Sequence, residues 1–191
     1  MIHSKWIAFC FIALGLNSTA NANNLHLIDS NPTTGFAIYR TSRPSEKDMK
    51  EFCKLGIQEM TVLSGTAEKY EFKHQGACPT LKVVYNESQS AKIPMSESFL
   101  RDFDNWVKDA QAQGKKIAFR CSCGCHRTGR LAAYYQMKYQ GLSVKEATDV
   151  MYDLGKWMFL HRQLKPQVQA LNDYIHGRPC SVKEKHCVVK K

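Results

Sequence analysis

Phe119 to Arg130 reads F-R-C-S-C-G-C-H-R-T-G-R, and no other stretch of this 191-residue chain restricts its fold so sharply. A short apolar strand pattern, Lys116 to Arg120 (K-I-A-F-R), runs straight into it, and a helical pattern follows Arg127. Three alternating cysteines, a glycine, a histidine and an arginine at such a junction admit three readings: a metal clip, a disulfide knot, or a phosphate cradle around a thiolate. Zinc sites normally spread their ligands over separate knuckles, and alternate-residue ligands crowd a tetrahedral ion. Neither a metal nor a disulfide knot gives Gly124, Arg127 or Thr128 a purpose.

The cradle uses all of them. A loop of this length at a helix N-terminus turns its backbone N–H groups, here Ser122, Cys123, Gly124, Cys125, His126 and Arg127, around one point, where the helix dipole adds positive charge. Gly124 permits the conformation or the close approach that such a loop needs. Arg127 can grip two phosphate oxygens with its planar fork. Cys121 at the base is then expected to lose its proton easily and to act as a nucleophile aimed at phosphorus.

The pattern C-x-x-G-x-x-R-T-G after a strand and before a helix resembles the signature loop of cysteine-based protein tyrosine phosphatases. The likeness is strongest to the small dual-specificity branch and to the related phytase-like inositol polyphosphatases. It extends to Y-R-T-S-R-P-S-E-K-D-M-K-E-F-C-K-L-G-I at Tyr39 to Ile57, and covers the chain from Gly35 to about Ile175. The resemblance implies that Cys121 forms a phosphocysteine intermediate, that Arg127 and the loop amides stabilise the equatorial oxygens, and that Thr128 hydrogen-bonds to the sulfur. It also implies a general acid on a loop about thirty residues before the cysteine. Glu87 is the one carboxylate between Lys73 and Glu97 and is the candidate. An ordinary loop glutamate is the alternative, and in a shifted register Ser90 takes the position. No metal or organic cofactor is expected, because the amides and Arg127 supply the electrostatics.

Two departures from the family pattern stand out. Arg120 replaces the histidine that usually precedes the nucleophile; it either favours a thiolate by charge or turns away into a salt bridge. Cys123 and Cys125 either face away from the phosphate, which is the favoured reading, or trap Cys121 as a disulfide.

The rest of the chain sets the context. Lys5, the apolar run Ile7 to Leu16 and Ala20-Asn21-Ala22 form a secretory signal over 1–22, too short for a stable membrane span. The expected compartment is the periplasm, with full secretion as the alternative, and no membrane anchor remains after cleavage. Beyond the signal are seven cysteines, of which Cys53–Cys78 and Cys180–Cys187 are plausible disulfide pairs. Cys53 has a second reading as a buried thiol beside Met49 and Phe52.

Strand patterns at Gly35–Thr41, Ile57–Leu63, Leu81–Tyr85 and Lys116–Arg120 alternate with helical ones, and the chain after Arg127 looks helical throughout. The expected fold is α/β: a central sheet flanked by helices, of the C-x5-R phosphatase kind, with a helical C-terminal part. One domain spans 23–178, and 179–191 reads as a solvated basic tail.

A net charge of +10 favours an anionic partner. No nucleic-acid module is recognisable, so a small polyanionic phosphate substrate such as an inositol polyphosphate is the leading expectation. A dual-specificity protein phosphatase comes second, and a metal-binding Cys/His protein is the alternative from another class. Candidates for secondary phosphate contacts are Arg40, Arg43, Lys69, Lys92, His126, Lys156 and Arg162.

Overall fold

The computed structural model of the protein describes residues 24–190; the signal assigned to 1–22 lies outside them. Five strands form one sheet: β1 (His26–Asn31), β2 (Phe36–Thr41), β3 (Ile57–Val62), β4 (Lys82–Asn86) and β5 (Lys116–Arg120). Their spatial order is β1-β2-β5-β3-β4. The four strands from β2 to β4 run parallel, and β1 alone is antiparallel, closing the edge beside β2.

Strand β5 sits in the middle of this sheet, which explains its sequence. A parallel strand covered on both faces reads as an apolar run rather than an alternation. Ile117 and Phe119 point into a core with Phe103, Val107, Leu131 and Tyr134, while Ala118 joins Met49, Phe52 and Met60 on the opposite face. The first face carries four helices, α2 (Glu97–Gln113), α3 (His126–Tyr139), α4 (Val144–Asp153) and α5 (Leu164–Ile175); the second carries α1 (Glu46–Leu55).

Local signals set the helix ends. Ser45 and Asp48 form a reciprocal capping box at the start of α1, as their spacing predicts. Ser96 caps α2 through the Phe99 N–H, and Gly114 ends it at φ 63°. A Cβ at Gly114 would lie 2.1 Å from the Thr34 carbonyl oxygen, so only glycine fits there.

Strand β1 is absent from the sequence reading. Four of its six residues, H-L-I-D-S-N, are polar and none is buried, so no period-2 pattern marks them. Both expected disulfides form, Cys53–Cys78 and Cys180–Cys187, which sets aside the buried-thiol reading of Cys53. The C-terminal tail is a correction. Its basic side chains reach solvent, yet the Ser181 N–H and hydroxyl bond to Asp173. Val189 exchanges hydrogen bonds with Met95 O and the Glu97 N–H. The tail is therefore packed against the domain.

Arg120, at the end of β5, turns away from the cysteine loop into a fully buried ion pair with Glu71. Its Nε donates to Glu71 at 2.7 Å and its Nη1 to the Ser64 and Thr66 hydroxyls at 2.7 and 3.1 Å. Of the two readings open for Arg120, the salt bridge holds. Removing one member of such a pair strands the other charge in a low dielectric. Glu71→Ala is expected to cost about 3–5 kcal/mol of stability, measured by chemical denaturation. A loss below about 1 kcal/mol would show that Arg120 finds water or another partner.

Candidate active site

The loop Cys121–Cys125 leaves β5 and enters α3, so a strand fixes its first residue and a helix its last. Three successive carbonyls are held from outside. Ser122 O accepts from the Arg43 N–H at 3.1 Å, Cys123 O from Asn24 Nδ2 at 2.9 Å and Gly124 O from Arg40 Nη2 at 2.6 Å. Because peptides are trans, an outward carbonyl directs the next N–H to the opposite side. The N–H groups of Cys123, Gly124 and Cys125 accordingly turn inward, giving the nest its shape. Gly124 is needed on two counts. Its φ is +71°, and a Cβ there would sit 2.7 Å from both Thr41 O and Asn24 Nδ2.

Arg40 is corrected by this geometry. It is not a surface phosphate contact but a buried cation under the loop, with Nε and Nη1 lacking partners. Burial lowers its pKa to about 10, against the opposing pull of Cys121, Cys125 and Cys123. It is still protonated at neutral pH. Its charge faces the three sulfurs from below.

The sulfurs themselves depart from expectation. Cys121 is buried at the base of the loop, but its thiol hydrogen-bonds to Cys123. That bond and burial push its pKa up to about 12, while the hydroxyl and backbone of buried Thr128 pull it down. Easy ionisation near neutral pH does not hold in this arrangement. The favoured reading of Cys123 as facing away also fails. Its Sγ accepts the Cys125 N–H at 3.1 Å, one of the inward donors, and lies 3.8 Å from His126 Nδ1. Cys125 is buried, its thiol 3.2 Å from Cys123 O. Its pKa is lowered to about 7, first by the hydrogen bond from Cys123 and further by the Lys156 backbone N–H and Arg40. Cys121, Cys123 and Cys125 are all unpaired thiols, so no disulfide closes the site.

Arg127 bridges two walls. Its Nη1 donates to Leu63 O at 3.0 Å and Gln89 O at 3.2 Å, and its Nη2 lies 3.5 Å from Ser122 Oγ. Arg130, which the sequence reading passed over, is fully buried and continues the same work. It donates to Ser90 O and Ile93 O, both at 2.9 Å, and to Gln167. Burial first, then the Arg127 charge, lowers its pKa to about 9. The signal was legible: residues three apart on a helix share a face. Together the two arginines fasten the 89–93 segment over the cysteine loop.

Glu87 precedes that segment. It is exposed, with the Tyr85 hydroxyl at 3.5 Å from its carboxylate. Ser90 holds Lys92 and Ile93 through its hydroxyl, the role of a turn residue. His126 Nε2 donates to Lys156 O at 2.8 Å, since a carbonyl only accepts, so Nε2 carries the proton. Among the other expected phosphate contacts, Arg43, Lys69, Lys92, Lys156 and Arg162 are exposed. Among the described residues no group of three or more His, Cys, Asp or Glu side chains is placed to share a metal ion.

A thiol beneath an amide nest, a helix N-terminus behind it and an arginine six positions on define a cysteine-based phosphatase. The model of the dual-specificity phosphatase catalytic domain matches residues 38–173, and the chain belongs to that family of phosphoric monoester hydrolases. It is 30% identical over 126 residues to the tyrosine-protein phosphatase MSG5 of Saccharomyces cerevisiae, a match covering 62% of this chain and 23% of that protein. This chain thus spans about a quarter of the relative's length.

Among solved structures it is similar to the core catalytic domain of the PP-IP phosphatase SIW14 from S. cerevisiae. The TM-score is 0.60 at 18% identity, covering 80% of this chain and 87% of that one. TpbA of P. aeruginosa is comparable, with a TM-score of 0.58 and 17% identity over 78% of this chain and 96% of that one. Identities this low speak to the fold.

The Cys121 proton is the property most open to test. A nucleophile whose pKa is raised gains activity as pH rises through that pKa. Cys123→Ala removes the first-named cause of the rise, so the ascending limb of the kcat/KM profile is expected to move to lower pH. An unmoved limb would show that Cys123 does not hold the Cys121 proton.

Proposed function

We propose that this protein is an exported, cysteine-dependent phosphatase that hydrolyses phosphomonoesters through a phosphocysteine intermediate, with inositol polyphosphates as its substrate class. The observation that carries the reading is Cys121 at the base of a nest whose Ser122, Cys123 and Gly124 carbonyls are all tied outward. The signal pattern over 1–22 supports export, with the periplasm as the compartment.

A phosphoryl group entering the nest competes for the Cys125 N–H that Cys123 Sγ now takes. Displacing Cys123 removes the hydrogen bond that raises the Cys121 pKa, so seating the substrate and freeing the thiolate are linked. As the substrate seats, Cys121 gives up its proton to solvent; Sγ attacks phosphorus, the ester P–O bond breaks, and Glu87 in its acid form protonates the leaving oxygen. In the second step water attacks the phosphocysteine, the Glu87 carboxylate takes up the water proton, the S–P bond breaks, and Thr128 stabilises the departing sulfur. Arg127 and the loop amides hold the equatorial oxygens through both steps. The net charge of +10 and the exposed cations Arg43, Lys69, Lys92, Lys156 and Arg162 support a substrate with several phosphates. The fold shared with a PP-IP phosphatase is consistent with it.

The likeness to a tyrosine-protein phosphatase favours a second reading, a protein phosphatase. Phosphate release from inositol hexakisphosphate and from a phosphotyrosyl peptide separates the two. Release mainly from the inositol ester is expected, and release mainly from the peptide would move the assignment to protein substrates. Cys121→Ser is expected to abolish turnover on either, and surviving activity would rule out the phosphocysteine route.

Glu87→Gln tests the acid directly. A general acid matters most for poor leaving groups, so alkyl phosphates are expected to lose on the order of 10²-fold in kcat while aryl phosphates lose much less. Equal losses on both would remove Glu87 from the mechanism.

A further inference from the structure

Beside the cysteine loop lies an open hollow of about 460 Å³, whose lining includes Lys92, His161, Gln163, Lys185 and His186. Three parts of the chain build it. Lys92 belongs to the segment that Arg127 and Arg130 fasten over the nest. His161 and Gln163 come from the turn before α5, and Lys185 and His186 from the C-terminal tail. No carboxylate lines it.

We infer that this hollow is a second anion site, which takes another phosphoryl group of the substrate whose reacting phosphate sits over Cys121. The inference rests on the polyphosphate reading of the catalytic nest and gives that reading a physical address. Its link to the nest is direct: the His161 ring lies against that of His126, a residue of the loop, with centroids 3.7 Å apart. Across the hollow, Gln163 Nε2 donates to Ala91 O at 3.1 Å and lies 3.4 Å from His161 Nδ1, joining the turn to the segment that bears Lys92.

The electrostatics are one-sided. Two lysines and two histidines converge with no opposing carboxylate in the lining. Burial first, and then His126 and Lys92, lower the pKa of His161. His186 Nδ1 is buried and has no partner. A donor-rich concavity of one sign concentrates counter-ions, and a phosphate offers enough oxygens to satisfy several of these groups at once.

The tail is also held ready. Cys180–Cys187 closes the loop, Lys183 O accepts the His186 N–H at 2.8 Å, and Val189 is bonded to Met95 O at 3.0 Å, next to Pro94 of the hollow wall. Lys185 and His186 are thereby presented with little ordering left to lose, which favours affinity.

The test is inhibition of para-nitrophenyl phosphate hydrolysis by inositol hexakisphosphate, which reads binding whether or not the inhibitor is turned over. Competitive inhibition of the unaltered enzyme is expected. In the double variant Lys185→Ala with His186→Gln, the inhibition constant is expected to rise about tenfold, with para-nitrophenyl phosphate turnover within twofold. Lys183→Ala removes a charge from the same tail outside the hollow, and its inhibition constant is expected to stay within twofold.

An unchanged constant in the double variant, or an equal rise in Lys183→Ala, would overturn the site. Noncompetitive inhibition would mean an anion bound in the hollow alone, and would overturn the bridging of one substrate. Competitive inhibition without phosphate release from the inositol ester would reject the polyphosphate as substrate and leave the hollow standing, so the two failures are distinguishable.

Discussion

Positive charge held inside the protein is the constraint on which this structure turns. Arg40, Arg120 and Arg130 are all fully buried: Arg40 against the cysteine loop, Arg130 on the helix that follows it, and Arg120 just before it but turned away. Only Arg120 meets a carboxylate among the described residues, in its pair with Glu71. Arg40 and Arg130 are held by carbonyl and amide oxygens, and burial draws both pKa values down without discharging them. Isolated charges in a low dielectric are costly, so the fold bears them where something useful results. Each one pins a different wall: Arg120 pins the turn after β3, Arg40 the loop floor, and Arg130 the segment after Glu87.

The consequence for chemistry is a site pre-organised to meet negative charge. A dianionic phosphoryl group and a thiolate both lower the cost that the buried guanidinium groups impose. Cys123 complicates this picture in an informative way. Its sulfur accepts one inward N–H and a hydrogen bond from the Cys121 thiol, so the nest is partly filled from within. The pKa of the Cys121 thiol is thereby held well above the usual thiol range. A buried thiol is inert compared with a thiolate, so burial and the neighbouring sulfur limit oxidation of Cys121.

Much of this was legible in the sequence, and the exceptions share a cause. The apolar run of β5 and the Ser45–Asp48 capping box of α1 are local signals, and they stand where the sequence places them. The strand–loop–helix junction was readable too, and the two disulfides are pairings the sequence allowed without fixing them. Strand β1 was not, because its ladder partner rather than its own pattern makes it a strand. The burial of Arg40 and the inward turn of Cys123 were hidden for the same reason. A residue's type gives its chemistry, but which way it faces depends on Thr41, Asn24 and other residues distant in the chain. Arg130 is the instructive middle case: its helical spacing from Arg127 was on view, yet an arginine in a helix ordinarily reads as a surface residue.

The strand order has a further implication, for how the protein is made. Strand β5 lies between β2 and β3, which precede it by many residues, so the first four strands synthesised leave a gap at the middle of the sheet. A nascent chain stopped short of residue 116 is therefore not a smaller version of the fold. It exposes two unpaired strand edges facing one another, and its core lacks Ile117 and Phe119. Such long-range pairing is slow to form and cannot be rehearsed piecewise. The strand that closes the gap is the one that leads into Cys121, so completion of the sheet and assembly of the cysteine loop are a single event.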